Sequence, residues 1–198
     1  MKPKSWEDIS VEKYYKLYAI NKVADVIDQQ VQTLACLLEV DDKEVERMTV
    51  TQVVKAMKPF EFLKELPDGK PLTVSFQLEG KRFKPILISS DMTAAQFIDF
   101  NSIGKNVKKD DKVYEMHKLI AAMCQRRKIK GCYPFIFYEY EGFNKNADLF
   151  LKLPMSIAYP FYVFFCNVSV NLQTPILNSL EKILKKETKE VKKLLKRK

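Results

Sequence analysis

The stretch that decides the fold runs from Val74 to Phe100 and reads VSFQLEGKRFKPILISSDMTAAQFIDF. Its first half alternates apolar and polar residues on both sides of a Glu-Gly pair, a pattern typical of two short strands joined by a tight turn. We place these strands at Thr73–Leu78 and Arg82–Ile88. The second half carries helix-capping residues followed by apolar residues at helical spacing. A small hairpin therefore leads directly into a helix, and the stretch contains no catalytic motif.

Composition favours a mostly helical protein around this hairpin. The chain has 198 residues, 46% of them hydrophobic, which is enough for one domain with a core, and its five glycines are too few for a loop-rich sandwich or barrel. We predict a mainly α fold. It consists of a single helical domain over residues 1–180, with one small β-hairpin near residues 73–88, followed by a basic amphipathic C-terminal helix over residues 181–198.

Helical periodicity precedes the hairpin. Ser5 or Ser10 can cap a helix start, and apolar residues then recur at helical spacing over residues 20–38, which predicts one long helix. A short helix, KEVERM, follows it. The next helix, TQVVKAMKPFEFLKEL, begins at Thr49 or Thr51 and breaks or bends at its proline, because proline lacks the N–H that continues a helix.

Two further helices and an aromatic segment follow the hairpin. Ser89, Ser90 or Asp91 caps the helix MTAAQFIDFNSIGK, and DDKVYEMHKLIAAMCQRR is the next helix. The segment KIKGCYPFIFYEYEGF is aromatic and punctuated by Gly and Pro, so we predict a loop or a short extended segment. We expect the aromatic rings of this segment to pack in a core and the cations of CQRRKIKG to form a solvated helix end. In the alternative interpretation, the rings stack on nucleic-acid bases and the cations contact phosphates.

An uncharged run precedes the basic C-terminus. From Leu153 to Leu180 the chain carries no charged side chain, but prolines, serines and asparagines interrupt the run. A membrane-spanning helix needs about 20 apolar residues, so we predict a buried helix and no membrane partner. Residues 181–198 then carry nine Lys/Arg against three Glu, which is +6 of the net charge of +9, and place their apolar residues on one helical stripe.

The sequence contains no recognisable catalytic or metal-binding pattern. His117 is the only histidine, and the four cysteines are widely spaced: Cys36, Cys124, Cys132 and Cys166. Zinc sites need clustered thiolates or imidazoles, so we predict no metal site. The motifs of phosphate-binding loops, dinucleotide-binding folds and nucleophile elbows are missing as well, so we predict no catalytic residue, no cofactor and no enzymatic activity. The polar start MKPKSWEDIS lacks a signal peptide's apolar segment, and we expect reduced thiols in a cytoplasmic protein.

The order of these features resembles a group of tail-assembly-chaperone-like proteins of tailed bacteriophages. The matching parts are DMTAAQFIDF from Asp91 to Phe100, HKLIAAM from His117 to Met123, and the pair Phe164–Phe165. Members of the group similarly pass from a short hairpin to an "mt..Q.iDf" helix, then to a helix containing "h..lA", and finally to a Phe-Phe helix. The resemblance covers roughly residues 5–180.

The resemblance implies a non-enzymatic morphogenesis protein that binds other phage structural proteins in the host cytoplasm during assembly. Its expected partners are tape measure, tail tube or portal-proximal proteins. An amphipathic groove of apolar side chains on the uncharged helix would hold a client helix, and the basic tail would attract acidic partners. The ordinary alternative for the phenylalanines is core packing. The predicted partner-binding residues are Met155, Phe161, Phe164, Phe165, Lys192, Lys193, Lys196 and Arg197.

Two other functions stay open. A structural virion component, such as a neck or tail ring, a connector or an internal cargo protein, would form symmetric homo-oligomers and remain in the purified particle. A nonspecific nucleic-acid-binding module would use the basic tail, and its affinity would fall steeply with salt.

Overall fold

The computed structural model describes residues 2–67, 75–87, 91–105, 113–130 and 135–166. The chain divides into two compact units, Met1–Tyr162 and Val163–Lys198. The described strands and almost all of the described helical residues belong to the first unit, and residues 163–166 are the described part of the second. The predicted basic helix over residues 181–198 lies outside the described residues.

The N-terminal periodic pattern forms two helices rather than one. Helix α1 spans Val11–Ile20 and begins at Ser10, whose Oγ accepts a backbone N–H from the first turn at 3.2 Å. Helix α2 spans Val26–Leu38 and begins at Asp25, whose Oδ1 accepts two backbone N–H groups. The prediction of one long helix is therefore wrong. The apolar spacing continues across residues 21–25, but the carboxylate of Asp25 caps a new helix there.

Three short helical elements follow. Helix α3 spans Asp42–Glu46, and helix α4 spans Val50–Met57. Helix α4 starts with a capping box, in which Oγ1 of Thr49 accepts the N–H of Gln52 and Oε1 of Gln52 accepts the N–H of Thr49. A 3-10 helix, Lys58–Lys64, continues directly from α4 with a proline as its second residue. The predicted break at this proline is confirmed.

The predicted hairpin is present. Strand β1 spans Phe76–Leu78 and pairs antiparallel with strand β2, Lys81–Pro85. Between the strands, Glu79 and Gly80 have φ angles of 48° and 71°. A type I′ turn requires a positive φ at both central positions, which explains the glycine. The outer ends of the two predicted strands lie outside the described part of the chain.

This hairpin is half of a four-stranded antiparallel sheet in the order β1-β2-β3-β4. Strand β3 spans Cys124–Lys130 and strand β4 spans Phe135–Glu139. The predictions of a single two-stranded hairpin and of a helix continuing through CQRR are therefore wrong. The N–H of Ile86 donates to the carbonyl of Met123 at 2.8 Å, where the β2–β3 pairing begins. This pairing joins segments distant in sequence, and charged side chains on both faces of β3 leave no alternating apolar pattern to reveal it.

Besides a 3-10 turn at residues 113–115, four more helices and a 3-10 turn follow. They are α5 (Ala94–Lys105), α6 (Met116–Ala122), the 3-10 turn Phe143–Lys145, α7 (Ala147–Phe150) and α8 (155–166). Oγ1 of Thr93 accepts the N–H of Gln96 at 3.2 Å, and Oε1 of Gln96 accepts the N–H of Thr93. Thr93 therefore caps α5 in place of the predicted Asp91; the other two candidates, Ser89 and Ser90, lie outside the described residues.

The core of the first unit lies between the inner face of the sheet and helices α7 and α8. The rings of Phe83 and Phe150 lie 5.0 Å apart, those of Phe76 and Phe161 lie 5.7 Å apart, and all four side chains are buried. The described part of the uncharged run thus forms a buried helix, as predicted. Within the described ranges, no helix combines the length and the apolar content needed to cross a membrane. The described fold is mainly helical, with one four-stranded sheet.

Candidate functional site

The four apolar residues predicted to bind a partner lie on α8. Met155, Phe161 and Phe165 are at most 1% exposed, whereas Phe164 is partly exposed. Three of the four are therefore core side chains, and partner binding through them stays a prediction that requires the core to open. The four predicted cations of the C-terminal helix lie outside the described residues: Lys192, Lys193, Lys196 and Arg197.

His117 lies in α6 and is 9% exposed. The hydroxyl of Tyr15 accepts the backbone N–H of His117 at 3.1 Å and lies 3.0 Å from its Nδ1, to which it donates when the ring proton is on Nε2. Burial lowers the pKa of His117, and the charge of Lys118 lowers it further. The neutral ring thus connects α6 to α1 as a packing group. In the described part of the chain, no three His, Cys, Asp or Glu side chains are grouped so that they could hold a metal ion.

Among the described residues, Cys36 and Cys124 are free thiols. Burial raises the pKa of the Cys124 thiol, and it also raises the pKa of the half-buried Cys36, although two neighbouring lysines oppose the shift. A cysteine reacts as its thiolate, so a raised pKa makes Cys36 and Cys124 poor nucleophiles near neutral pH.

Glu141 follows β4, and its side chain is 6% exposed. Nζ of Lys128 lies 2.5 Å from its Oε1, and Nη1 of Arg126 and Nδ2 of Asn146 each lie 3.4 Å from its Oε2. Burial alone would raise the pKa of this carboxyl, but the hydrogen bonds and the two positive charges outweigh burial and lower the pKa to about 2. A carboxylate so firmly ionised is a poor general acid or base at neutral pH. It stabilises the end of the sheet.

An open groove with a volume of about 450 Å³ lies between α2, α4 and the first 3-10 helix. We call it the α2–α4 groove. Its lining combines polar residues of α2, apolar residues of α4, and both apolar and charged residues of the 3-10 helix: Gln30, Thr33, Val53, Val54, Met57, Lys58, Phe60, Glu61, Leu63 and Lys64. Nothing in the sequence analysis had assigned a function to this groove.

Helix α4 carries an apolar stripe at positions i, i+3, i+4 and i+7: Val50, Val53, Val54 and Met57. No residue of this helix is buried, and Val50 and Val54 are 81% and 56% exposed. At the start of α2, Val26 and Ile27 are 64% and 71% exposed. An exposed apolar surface surrounded by polar residues marks a binding site more often than other parts of a protein surface do. The spacing is visible in the sequence, but only the structure shows that this stripe is exposed.

The outer face of the sheet is polar and basic. Gln77 pairs with Arg82 across β1 and β2, and Arg127 pairs with Tyr138 across β3 and β4. The β2–β3 register, continued by one position, sets Arg82 opposite Arg127. Because residues that pair across strands point to the same face, these four side chains form one row across the sheet, which we call the arginine row.

A fifth side chain belongs to the same face. Nζ of Lys84 lies 5.8 Å from the centroid of the Tyr138 ring. Gln77, Arg82 and Lys84 are exposed, whereas Arg127 and Tyr138 are partly exposed. Arg127 lies in CQRRKIKG and Tyr138 lies in the aromatic segment. Contact with nucleic acid is the alternative interpretation of these two segments. The remaining members of the row were missed, since only strand pairing brings them beside those two residues.

Comparison of the chain with protein-family models, with curated proteins and with solved structures gives no match.

Proposed function

We propose that the chain is a non-enzymatic morphogenesis protein of a tailed bacteriophage, similar to a tail assembly chaperone, which binds another phage structural protein in the α2–α4 groove. One observation carries the proposal: helix α4 is well capped and amphipathic, yet its apolar stripe faces solvent. An exposed apolar stripe is unfavourable in an isolated protein. Burial of the stripe against a partner is favourable.

The groove suits an amphipathic client helix, such as a segment of a tape measure protein. In this mode of recognition, apolar anchors at i, i+3, i+4 and i+7 of the client enter a groove between helices. Burial of a Val or Ile side chain contributes about 1.5–3 kcal/mol, and association itself costs at least about 4 kcal/mol. The exposed residues at the groove and at the start of α2 can therefore support a complex that still dissociates. Reversible binding is what a chaperone needs, because tail tube subunits must later replace it.

The test is co-expression of the full chain with the tape measure, tail tube and portal-proximal proteins of the same phage, followed by co-purification and titration of the complex. We expect Val50→Asp/Val54→Asp to weaken binding of the tape measure protein at least tenfold. The melting temperature should change little, because both side chains are exposed.

Ile98→Asp is the matched control. Ile98 is 64% exposed and lies on α5, a different helix, so the same kind of substitution there should leave the affinity unchanged. Equal losses in both variants would show that the α2–α4 groove is not the binding surface. Failure of the full chain to bind any tail or portal-proximal protein would contradict the function itself.

A structural role in the particle is distinguished by a second measurement. A chaperone acts in the host cytoplasm and should be scarce in purified virions, whereas a ring, connector or cargo protein should be present in stoichiometric amounts. Mass spectrometry of purified virions, together with the oligomeric state of the free chain, separates the two roles.

A further inference from the structure

The arginine row sets two positive charges side by side, and no acid among the described residues neutralises them. Like charges directly opposite each other on one face of a sheet are destabilising. Neither Arg82 nor Arg127 makes an ion pair with another described residue, and the ion pairs of β3 involve other residues, Arg126 and Lys128, which alternate with Arg127 and so point to the opposite face. Among the described residues, this part of the outer face thus carries two positive charges that no acid neutralises, which favours an anionic ligand.

Arg127 supplies an independent observation. Its Nε is buried and has no hydrogen-bond partner in the described part of the chain. Buried donors without an acceptor are rare and unfavourable, and guanidinium groups match phosphate oxygens well in geometry. A phosphate bound on the row would draw the side chain outward and give this N–H group an acceptor.

We infer that the arginine row binds single-stranded nucleic acid, with Arg82 and Arg127 on its phosphates and Tyr138 stacked on a base. The chemistry of the face favours this ligand over an acidic peptide. An aromatic ring beside cations is a stacking platform for any base, and Gln77 offers an amide to base edges or the sugar. At about 4.8 Å per strand, the row spans roughly 14 Å, which accommodates two or three nucleotides laid across the sheet.

Lys84 extends the same site. Its Nζ lies near the Tyr138 ring in the free chain, and a stacked base would displace it towards the adjacent phosphate. This site is separate from the α2–α4 groove, so it neither requires nor excludes the proposed chaperone function. It also differs from binding by the C-terminal cations, since it depends on an aromatic residue and on strand register.

The experiment is a fluorescence anisotropy titration of the full chain with a short labelled oligothymidylate and the corresponding oligouridylate, repeated over a range of salt concentrations. We expect Arg82→Gln/Arg127→Gln to weaken binding at least tenfold. The salt slope, d log K/d log [salt], should become less steep by about 1.4, which is two phosphate contacts at about 0.7 each. Tyr138→Leu should weaken binding without changing the slope, and Tyr138→Phe should bind as the unmodified chain does.

Lys43→Gln/Lys55→Gln is the matched control, because it removes the same charge from exposed positions on α3 and α4. It should change the affinity less than twofold at salt near 0.1 M, where charges are screened beyond about 10 Å. The arginine variant should also keep or raise the melting temperature, since it relieves repulsion. Equal weakening by both double variants, a lower melting temperature in the arginine variant, tighter binding of duplex than of single strands, or no binding by the unmodified chain would each overturn the inference.

Discussion

Nε2 of Gln96 donates a hydrogen bond to the carbonyl oxygen of Ala122 at 3.2 Å, and the Gln96 side chain is fully buried. The bond ties the first turn of α5 to the last residue of α6. The side-chain oxygen of the same glutamine, Oε1, accepts the backbone N–H of Thr93 and so completes the capping box. One residue of the DMTAAQFIDF segment therefore both starts a helix and positions the next one. Asp99, in the same segment, accepts a hydrogen bond from the hydroxyl of Tyr140 at 2.5 Å.

Replacing Gln96 with Ala should lower the free energy of unfolding by about 2–4 kcal/mol. The change removes the side-chain half of the capping box and the hydrogen bond to the buried carbonyl of Ala122, and loss of a donor to a buried carbonyl alone costs about 1–3 kcal/mol. The change in the free energy of unfolding is measured by urea denaturation followed by circular dichroism. Gln52→Ala is the control, because Gln52 occupies the equivalent position of the exposed capping box of α4, and its Nε2 makes no hydrogen bond to another described residue. It should cost less than about 1 kcal/mol. Equal costs at the two positions would contradict the assigned role of the Gln96–Ala122 bond.

Replacing Tyr15 with Phe should destabilise the chain by about 1–3 kcal/mol, because the substitution leaves the N–H of His117 and its Nδ1 without their shared partner. Tyr14 is the natural control. It lies on the same helix, and its hydroxyl makes no hydrogen bond to another described residue. Tyr14→Phe should stay within about 0.5 kcal/mol of the unmodified chain. If Tyr15→Phe and Tyr14→Phe have the same melting temperature, the Tyr15–His117 pair contributes no net stability.

Stability should fall on mild acidification because of His117. Burial holds its pKa below the ordinary value of 6.5, so the unfolded chain binds the proton more readily than the folded chain does. The contribution of the neutral His117 ring to stability is complete above pH 6.5. It is lost as the pH falls from 6.5 towards the pKa of His117 in the folded chain. We expect a lower melting temperature at pH 5.5 than at pH 7.5, and a smaller difference in His117→Gln. An identical pH dependence in the variant would rule out this residue as the cause.

A second loss of stability should appear at lower pH because of Glu141. Its pKa falls from an ordinary value of 4.5 to about 2, so its contribution is complete above pH 4.5 and is lost as the pH falls from 4.5 to about 2. The shift corresponds to at most about 3 kcal/mol. Glu141→Gln should therefore destabilise the chain at pH 7 and flatten its acid unfolding curve between pH 4.5 and 2. Glu139→Gln, at a 55% exposed side chain that lies 3.9 Å from Lys128, should do neither.

The elements with local sequence signals were predictable from the sequence alone. Ser10 and Thr49 cap helices because their oxygens meet backbone N–H groups within three residues, and the Glu-Gly turn forms because its backbone angles favour glycine. The buried character of α8 was predictable because the run from Leu153 onwards contains no charge. Two local signals competed at Asp25. The apolar residues continue there at helical spacing, but the capping carboxylate begins a new helix.

How these elements meet became apparent only from the tertiary structure. Tyr15 reaches His117 across 102 positions, and the β2–β3 register, continued by one position, sets Arg82 opposite Arg127. Such contacts depend on which segments pack together, and the energies that select the arrangement are spread over the whole core. The exposure of the α4 stripe has the same origin, since an apolar spacing predicts a face to be covered but does not tell whether the covering group belongs to this chain or to a partner.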